Sequence, residues 1–554
     1  MSRIHLLFVV SASLAVAACP TRDKYDRPPT VRITTPTATT YTHGPVEIRA
    51  AIDHDLDLPV VFRVDGVQAK ALPSAKEAFT WDTRSVLEGP HMVTAEVEFS
   101  NETAMSNAVT IIVDRQAPTA VLTPLPGATE VRLRSPITIA FSEPVFLASA
   151  LNSTFSVSVA GTTVPITTNM SPDQTGVVIT INDLTAFSLP AMFTVRLASS
   201  ITDRAGNELA LPGTWSWTVP DWIRLPSTTT QTQPALAVTA ASQPILGFTE
   251  CVPSSNGCGD RLRVATLDGQ SWNVLDIIPD AGDTAPGYSL VLDAEDHPVV
   301  AFTEFAASTG TAVHVAAWDG TTWSALAPPI GASGSSSAAR APLVRLAAGN
   351  PIVAWRDSKV GGTGVFAALW NGAAWNPFGD IGYSNIDQHD LMLGVDGKPL
   401  IAWSNTGGGG GASFWDGGQW QSSSFTRAAP VSIAVNASLN ALMIDPTFTV
   451  VSSTGGGWQP AVSTPVPADG AAQQFVLATT PQSDPVVAWI NPETPSNRIG
   501  LARWTGTMWD TRAGLFRGTG NPLAEQPRLI VDRTGSVWMA WREGFQVNVW
   551  MSNY

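Results

Sequence analysis

Short apolar runs ending in a bulky residue, each followed by polar punctuation, recur through the last three-fifths of the chain. They read ILGF to Phe248, VVAF to Phe302, IVAW to Trp355, LIAW to Trp403, ALM to Met443, VVAW to Trp489 and WMAW to Trp541. Runs this short between turn residues predict strands rather than helices. A second series of tryptophans, Trp222, Trp272, Trp323, Trp375, Trp420, Trp458 and Trp509, is interleaved with them at spacings of 38 to 52 residues. Most follow a turn phrase: Asp268-Gly269, Asp319-Gly320, Asn371-Gly372, Asp416-Gly417 or Thr505-Gly506. Such pairs supply the positive φ that a tight hairpin needs. Each repeat therefore reads as strand, polar turn, strand, long loop, strand, Gly turn and Trp-bearing strand.

A period of about 40 to 50 residues built from short strands is the signature of a β-propeller blade. The last repeat stops at Tyr554, where its fourth strand should begin, whereas Asp221 to Pro226 supplies a fourth strand with no blade before it. Pairing one with the other would remove exposed sheet edges. The expectation is a seven-bladed β-propeller over residues 221–554, closed by an N-terminal strand, at about 48 residues per blade.

Between Pro28 and Pro220 the pattern changes to short alternating strands with Pro and Gly punctuation, which predicts β-sandwiches. The first stretch contains Pro29 to Pro36, a Val64-Asp65-Gly66 turn, Trp81-Asp82-Thr83, and Gly89 followed by His91. It resembles a widespread bacterial Ig-like module. That resemblance covers residues 29–114 and implies that His91 belongs to a corner rather than to a metal site with His43 and His54. The second stretch, 115–220, carries Phe141-Ser-Glu-Pro-Val145 and Asp203-Arg-Ala-Gly-Asn207. It is similar to the Ig-like family of S-layer and other bacterial surface proteins. Asp203, Gly206 and Asn207 suggest either a cation loop or, more simply, side-chain-to-backbone bonding in a turn.

Charge and cysteines refine this all-β picture. The chain of 554 residues is 44% hydrophobic with a formal charge of −15, enough apolar material for several cores. No Lys/Arg cluster is available to replace phosphate counterions, which argues against a nucleic-acid partner. Arg3 precedes an apolar stretch from Ile4 to Ala18, too short to span a bilayer, and this reads as a signal peptide over residues 1–18. Its end, Val16-Ala17-Ala18-Cys19, resembles the lipobox of bacterial lipoproteins. That resemblance implies a lipid on Cys19, a tether over 19–28, and membrane attachment, with the outer membrane as default because Pro20 follows. Cys251 and Cys258, in the first repeat's expected long loop, suit a disulfide in an oxidising compartment better than a two-cysteine metal site.

No hydrolase elbow, His-Glu-x-x-His, phosphate loop or dinucleotide fingerprint occurs, so no catalytic residue, metal or cofactor is assigned. The Gly407 to Gly411 run reads as a flexible loop. One constellation stands out: two residues after each bulky anchor stands an acceptor, namely Glu250, Glu304, Asp357, Asn405, Asp445, Asn491 and Glu543. Seven such groups suit a ligand or cation ring, or else each caps backbone N–H groups of its own loop. The regularly placed tryptophans are expected between blades, whereas Trp538 is freer to serve a ligand. The chain thus reads as a surface-anchored, non-catalytic lipoprotein recognising an extracellular glycan or protein. The rivals are a carbohydrate-active enzyme, for which Asp293, Glu295 and Asp296 are the nearest carboxylates, and a structural envelope protein.

Overall fold

Alternation along each strand sets the N-terminal half. In Ile137–Phe141 and Gly176–Ile181 every second side chain is buried, so each strand has one apolar and one solvated face. The computed structural model describes residues 29–553 except 54–56, 148–153, 185–186, 198–200, 210–212, 255–256, 279–283, 307–309, 327, 332–336, 339, 360–361, 395, 407–408, 426–431, 436–440, 446, 454–457, 469–471, 493–496 and 512–523. Cys19 and His54 lie outside the described residues. The chain divides into two compact units, Met1–Val219 and Pro220–Tyr554.

The first unit holds two sandwiches. In one, a sheet of Val31–Thr35, Val46–Ile52 and Phe79–Trp81 faces a second sheet built around Gly89–Phe99, with Val60–Val64 and Val109–Val113 beside it. Ile48, Phe62, Ala95 and Ile111 are fully buried between them. In the other, a four-stranded sheet with Ile137–Phe141 and Gly176–Ile181 at its centre packs on one centred on Phe155–Val159 and Ala191–Leu197.

Among the described residues, the second unit forms seven sheets of successive antiparallel strands. The first runs Ala235–Val238, Pro244–Ser254, Gly257–Asp268 and Ser271–Val274, and the next five repeat that order. Pro244, Pro298, Pro399 and Pro485 open second strands, where a residue without an N–H costs least. In the seventh sheet, Ala524–Val531, Val537–Glu543 and Gln546–Ser552 are completed by Trp222–Arg224 from the start of the unit, with Trp222 opposite Ser552 and Arg224 opposite Trp550.

Apolar cores lie between consecutive sheets. Trp355 packs between the second and third, Trp403 between the third and fourth, Met443 between the fourth and fifth, Trp489 between the fifth and sixth, and Trp541 between the sixth and seventh. Phe302 joins the first sheet to the second. Phe248 packs with Trp538, Val547 and Ile223, so the seventh sheet also packs on the first. Three members of the second tryptophan series tie neighbouring sheets by hydrogen bonds. Trp272 Nε1 donates to Pro226 O at 2.6 Å, Trp420 Nε1 to Phe378 O at 3.1 Å, and Trp509 Nε1 to Thr464 O at 3.1 Å.

Two local expectations are corrected. The segment between second and third strands is not a long loop: Pro244–Ser254 and Gly257–Asp268 form one extended hairpin, and its polar residues are strand ends. The glycine run is not wholly a loop either, because Gly410–Trp415 is a strand. A side chain at Gly411 would collide with the backbone of Ser423 in the adjacent strand, so here glycine permits close strand approach.

Candidate functional site

The first strand of every sheet in the second unit borders one cavity of about 580 Å³. A first strand has a ladder partner on one side only, so the N–H groups on its other edge need acceptors. Side chains from the preceding sheet supply several. Ser289 Oγ accepts from Val344 N at 2.8 Å, Asp390 Oδ2 from Ile433 N at 3.0 Å, and Ser432 Oγ from Leu477 N at 2.8 Å.

Equivalent register positions also carry charge. Ser289, Asp390 and Arg528 each pair with the alanine preceding their sheet's anchor, Ala301, Ala402 and Ala540. Arg345, on the third sheet's first strand, places Nη2 4.0 Å from Asp390 Oδ1 and donates through Nη1 to Val344 O at 2.9 Å. Gln233 turns its amide oxygen to Arg528, which donates through Nε at 3.0 Å and a terminal nitrogen at 2.6 Å. Burial lowers the pKa of both arginines, opposed by the nearby Asp390 carboxylate. Both remain cationic at neutral pH. Burial likewise pushes the Tyr288 hydroxyl upward, keeping it a neutral donor, and it reaches Gly247 O at 3.2 Å.

None of Arg345, Asp390, Arg528 or Tyr288 stood out in the sequence. The available signal was a charged residue set within an apolar strand, as in Leu343-Val-Arg345-Leu346 and Pro527-Arg528-Leu529-Ile530.

Of the seven acceptors after the anchors, Asn405, Asn491 and Glu543 end their second strands, Asp445 stands just beyond one, and Glu250, Glu304 and Asp357 lie within theirs; each has a local partner. Asn491 Oδ1 accepts from Trp489 Nε1 at 2.8 Å, and Glu543 Oε1 from Trp541 Nε1 at 2.7 Å. Asn405 accepts from Gly409 N at 2.9 Å, and the buried Asp357 from Ser358 N at 2.7 Å. Asp445 holds its own hairpin through Thr447 N and Thr449 N, both at 2.9 Å. Glu250 pairs with Arg263 at 2.8 Å, and Glu304 lies 3.6 Å from His314. Trp538, expected to be freer, is fully buried and donates to Asp532 Oδ2 at 2.9 Å, which corrects that reading. It sits in the apolar core shared by the seventh and first sheets.

The carboxylates nearest to an enzyme reading form an ordinary first turn. Asp293 Oδ1 accepts from Glu295 N and His297 N at 3.0 and 2.7 Å, and both oxygens of Asp296 accept from Ala240 N at 3.0 Å. Cys251 lies opposite Asp260 and Cys258 opposite Pro253 in the first extended hairpin. The Cys258 side chain is outside the described residues.

In the first unit, His91 bonds Asp65 at 2.6 Å and Leu87 O at 2.8 Å, as a corner residue would. His43 Nδ1 meets Ala205 O at 2.5 Å. Asp203 accepts from Asn207 N at 2.9 Å and Asn207 Nδ2 at 2.7 Å, the bonding of a side-chain-closed turn. One oxygen each of Asp114, Glu143 and Asp203 lies within 4.8 Å of the others, a spacing compatible with a cation. Burial and those two carboxylates raise the pKa of Glu143.

Comparison with known proteins identifies two bacterial Ig-like domains, a Bacterial Ig domain at residues 29–95 and a Bacterial Ig-like domain at 114–219. No protein of curated function matches the sequence. Among solved structures, the Aleuria aurantia lectin in complex with Fucα1-6GlcNAc is 14% identical, covers 59% of this chain and 93% of its own, and gives a TM-score of 0.34. The Clostridium thermocellum CbhA fibronectin(III)-like modules are 15% identical over 34% of this chain and 94% of theirs, at 0.22. A family 117 glycoside hydrolase from Zobellia galactanivorans is 13% identical over 38% and 75%, at 0.28. Likeness at this level carries no functional assignment.

Proposed function

We propose that the second unit is a seven-bladed β-propeller closed by Trp222–Arg224, and that its central cavity captures a small extracellular glycan without transforming it. The observation carrying this reading is the cavity itself: first strands of all seven sheets border it, and its volume of about 580 Å³ is in the range of small-molecule sites. Binding is favoured over catalysis because the lining carboxylates are already engaged. Asp293 and Asp532 hold hairpin turns, and Asp390 holds Ile433 N. The seven acceptors after the anchors serve the fold in this reading: five fix indole or backbone donors, and Glu250 and Glu304 face Arg263 and His314.

The remaining parts belong to the same proposal. Cys19 carries the lipid that anchors the chain, with the outer membrane as its site, and the two Ig-like domains act as spacers. A Cys251–Cys258 disulfide staples the first extended hairpin, a reading supported by the two cysteines standing on its two paired strands.

Full-length protein tested against a glycan panel and against protein extracts of whole cells should retain glycans, and turn over none of them. Retention of proteins alone, or product formation from a bound glycan, would replace this reading. In parallel, Cys19→Ser should move the folded protein from membrane to soluble fraction, and equal membrane retention would remove the anchor.

A further inference from the structure

Charge in the cavity is segregated. At the hairpin-turn end, where Arg533 also lines the cavity, Asp293 and Asp296 accept from backbone donors of their own or neighbouring turns, and Asp532 from Thr534 N and the Trp538 indole. Farther along the first strands stand Arg345, Arg528 and Asp390, two cations against one anion. The single carboxylate also has prior commitments, since Asp390 accepts from Leu391 N and Ile433 N and lies 4.0 Å from Arg345. Arg528 meets a neutral amide, that of Gln233, and no described carboxylate is within salt-bridge distance of it. A guanidinium away from bulk water that Asp390 offsets only at a distance, without a direct ion pair, is costly unless something pairs with it.

These groups nevertheless touch open space. Side-chain exposure is 29% for Arg345 and 22% for Asp390, and both border the cavity. Groups desolvated by their surroundings yet accessible at this level are accessible through the cavity. The first-strand edges add a second kind of recognition. Their N–H groups at Val344, Ile433 and Leu477 are already taken by side chains of the preceding sheet and the Val344 carbonyl by Arg345, so hydroxyl donors are left the other first-strand edge carbonyls.

We infer that the cavity binds a small monoanionic polyol, a sugar of the uronate class, with its carboxylate on Arg528 and Arg345 and its hydroxyls against first-strand carbonyls. At this end the surplus of one positive charge among Arg345, Arg528 and Asp390 matches a monoanion, and the Asp390 carboxylate beside Arg345 disfavours a dianion such as phosphate. Guanidinium geometry suits a planar carboxylate. This deepens the glycan-binding reading and rests on it.

The test is calorimetric titration of full-length protein, in a detergent without a sugar head group, with galacturonate, glucuronate, galactose, glucose, acetate and inorganic phosphate. The expected result is uronate binding at least about tenfold tighter than that of the matching neutral sugar, acetate or phosphate. Arg528→Gln and Arg345→Gln should each weaken uronate binding by about tenfold or more. Asp390→Asn keeps an acceptor for Ile433 N while removing the competing negative charge, so it should tighten uronate binding, an outcome that structural damage would not produce. Equal affinity for galactose and galacturonate, unchanged affinity in both arginine variants, or no uronate binding would each overturn the inference. Glycan retention on the panel with equal affinity for acidic and neutral sugars would overturn the inference alone, while an empty panel would also remove the glycan-binding reading.

Discussion

At the scale of single residues, the most informative pairs are those in which a buried indole meets an acceptor two positions later. Trp541 and Glu543 are both buried and joined at 2.7 Å. Glu543→Gln retains an acceptor and should preserve stability, whereas Glu543→Ala strands the indole N–H and should cost about 1–3 kcal/mol in chemical denaturation. An alanine variant as stable as the glutamine one would show that the acceptor is not structural. His389 gives a pH signature. Burial, reinforced by the Arg356 charge, depresses its pKa to about 3, so the folded protein keeps this ring neutral. Below the ordinary histidine value of 6.5 the unfolded chain takes a proton that the folded chain refuses, so stability is lost as pH falls from about 6.5 toward about 3. His389→Asn should flatten that part of the melting-temperature profile, and a profile of unchanged slope would argue against a half-buried, neutral His389.

At the scale of elements, glycines decide how closely strands approach. Gly411 faces the backbone of Ser423 and Ser424, and Gly500 faces the Trp489 indole. An added methyl in such contacts forces strands or core rings apart, with a typical cost of about 1–3 kcal/mol. Gly411→Ala should therefore lower the melting temperature of the second unit, while Gly349→Ala, which meets open space but stands at φ 83°, should cost only its backbone strain. Equal stability of Gly411→Ala and the parent would mean that the fourth sheet relaxes around the methyl. Turn chemistry repeats at this scale with interchangeable parts. Asp319 accepts from Thr321 N and Thr322 N at 2.8 and 2.7 Å, and Asn371 accepts from Ala373 N and Ala374 N at 3.0 and 2.8 Å.

At the scale of the second unit, the strand Trp222–Arg224 links the two ends of a chain of sheets. Ile223 and Leu225 are buried in the core shared by the seventh and first sheets, and Trp222 in that of the sixth and seventh. Ile223→Ala removes buried methyl groups at that junction and should cost about 2–5 kcal/mol. Deleting 221–226 should in addition expose the edge of Gln546–Ser552, measurable as protease cleavage within the last repeat. A deletion variant with unchanged melting and protease resistance would dismiss the strand as a closing element.

The sequence by itself determined the all-β class, the two Ig-like domains and the period of the last repeats. Strand alternation, Asx-Gly turns and bulky run ends are local consequences of backbone geometry and burial, and they leave a mark at fixed spacing. The complementary ends, Asp221 to Pro226 and the chain after Trp541, were legible for the same reason: a missing strand is visible against a repeat. Tertiary structure alone decided where the acceptors after the anchors point, because Asn491 and Glu543 carry the same atoms whether they face a ligand or an indole two residues away. It also turned the expected long loop into an extended hairpin, since cross-strand pairing of polar residues leaves no alternating signature. The cavity was illegible for a further reason. Arg345, Asp390 and Arg528 lie on three different sheets, and side chains that far apart in sequence become one charged site only when first strands face the same space.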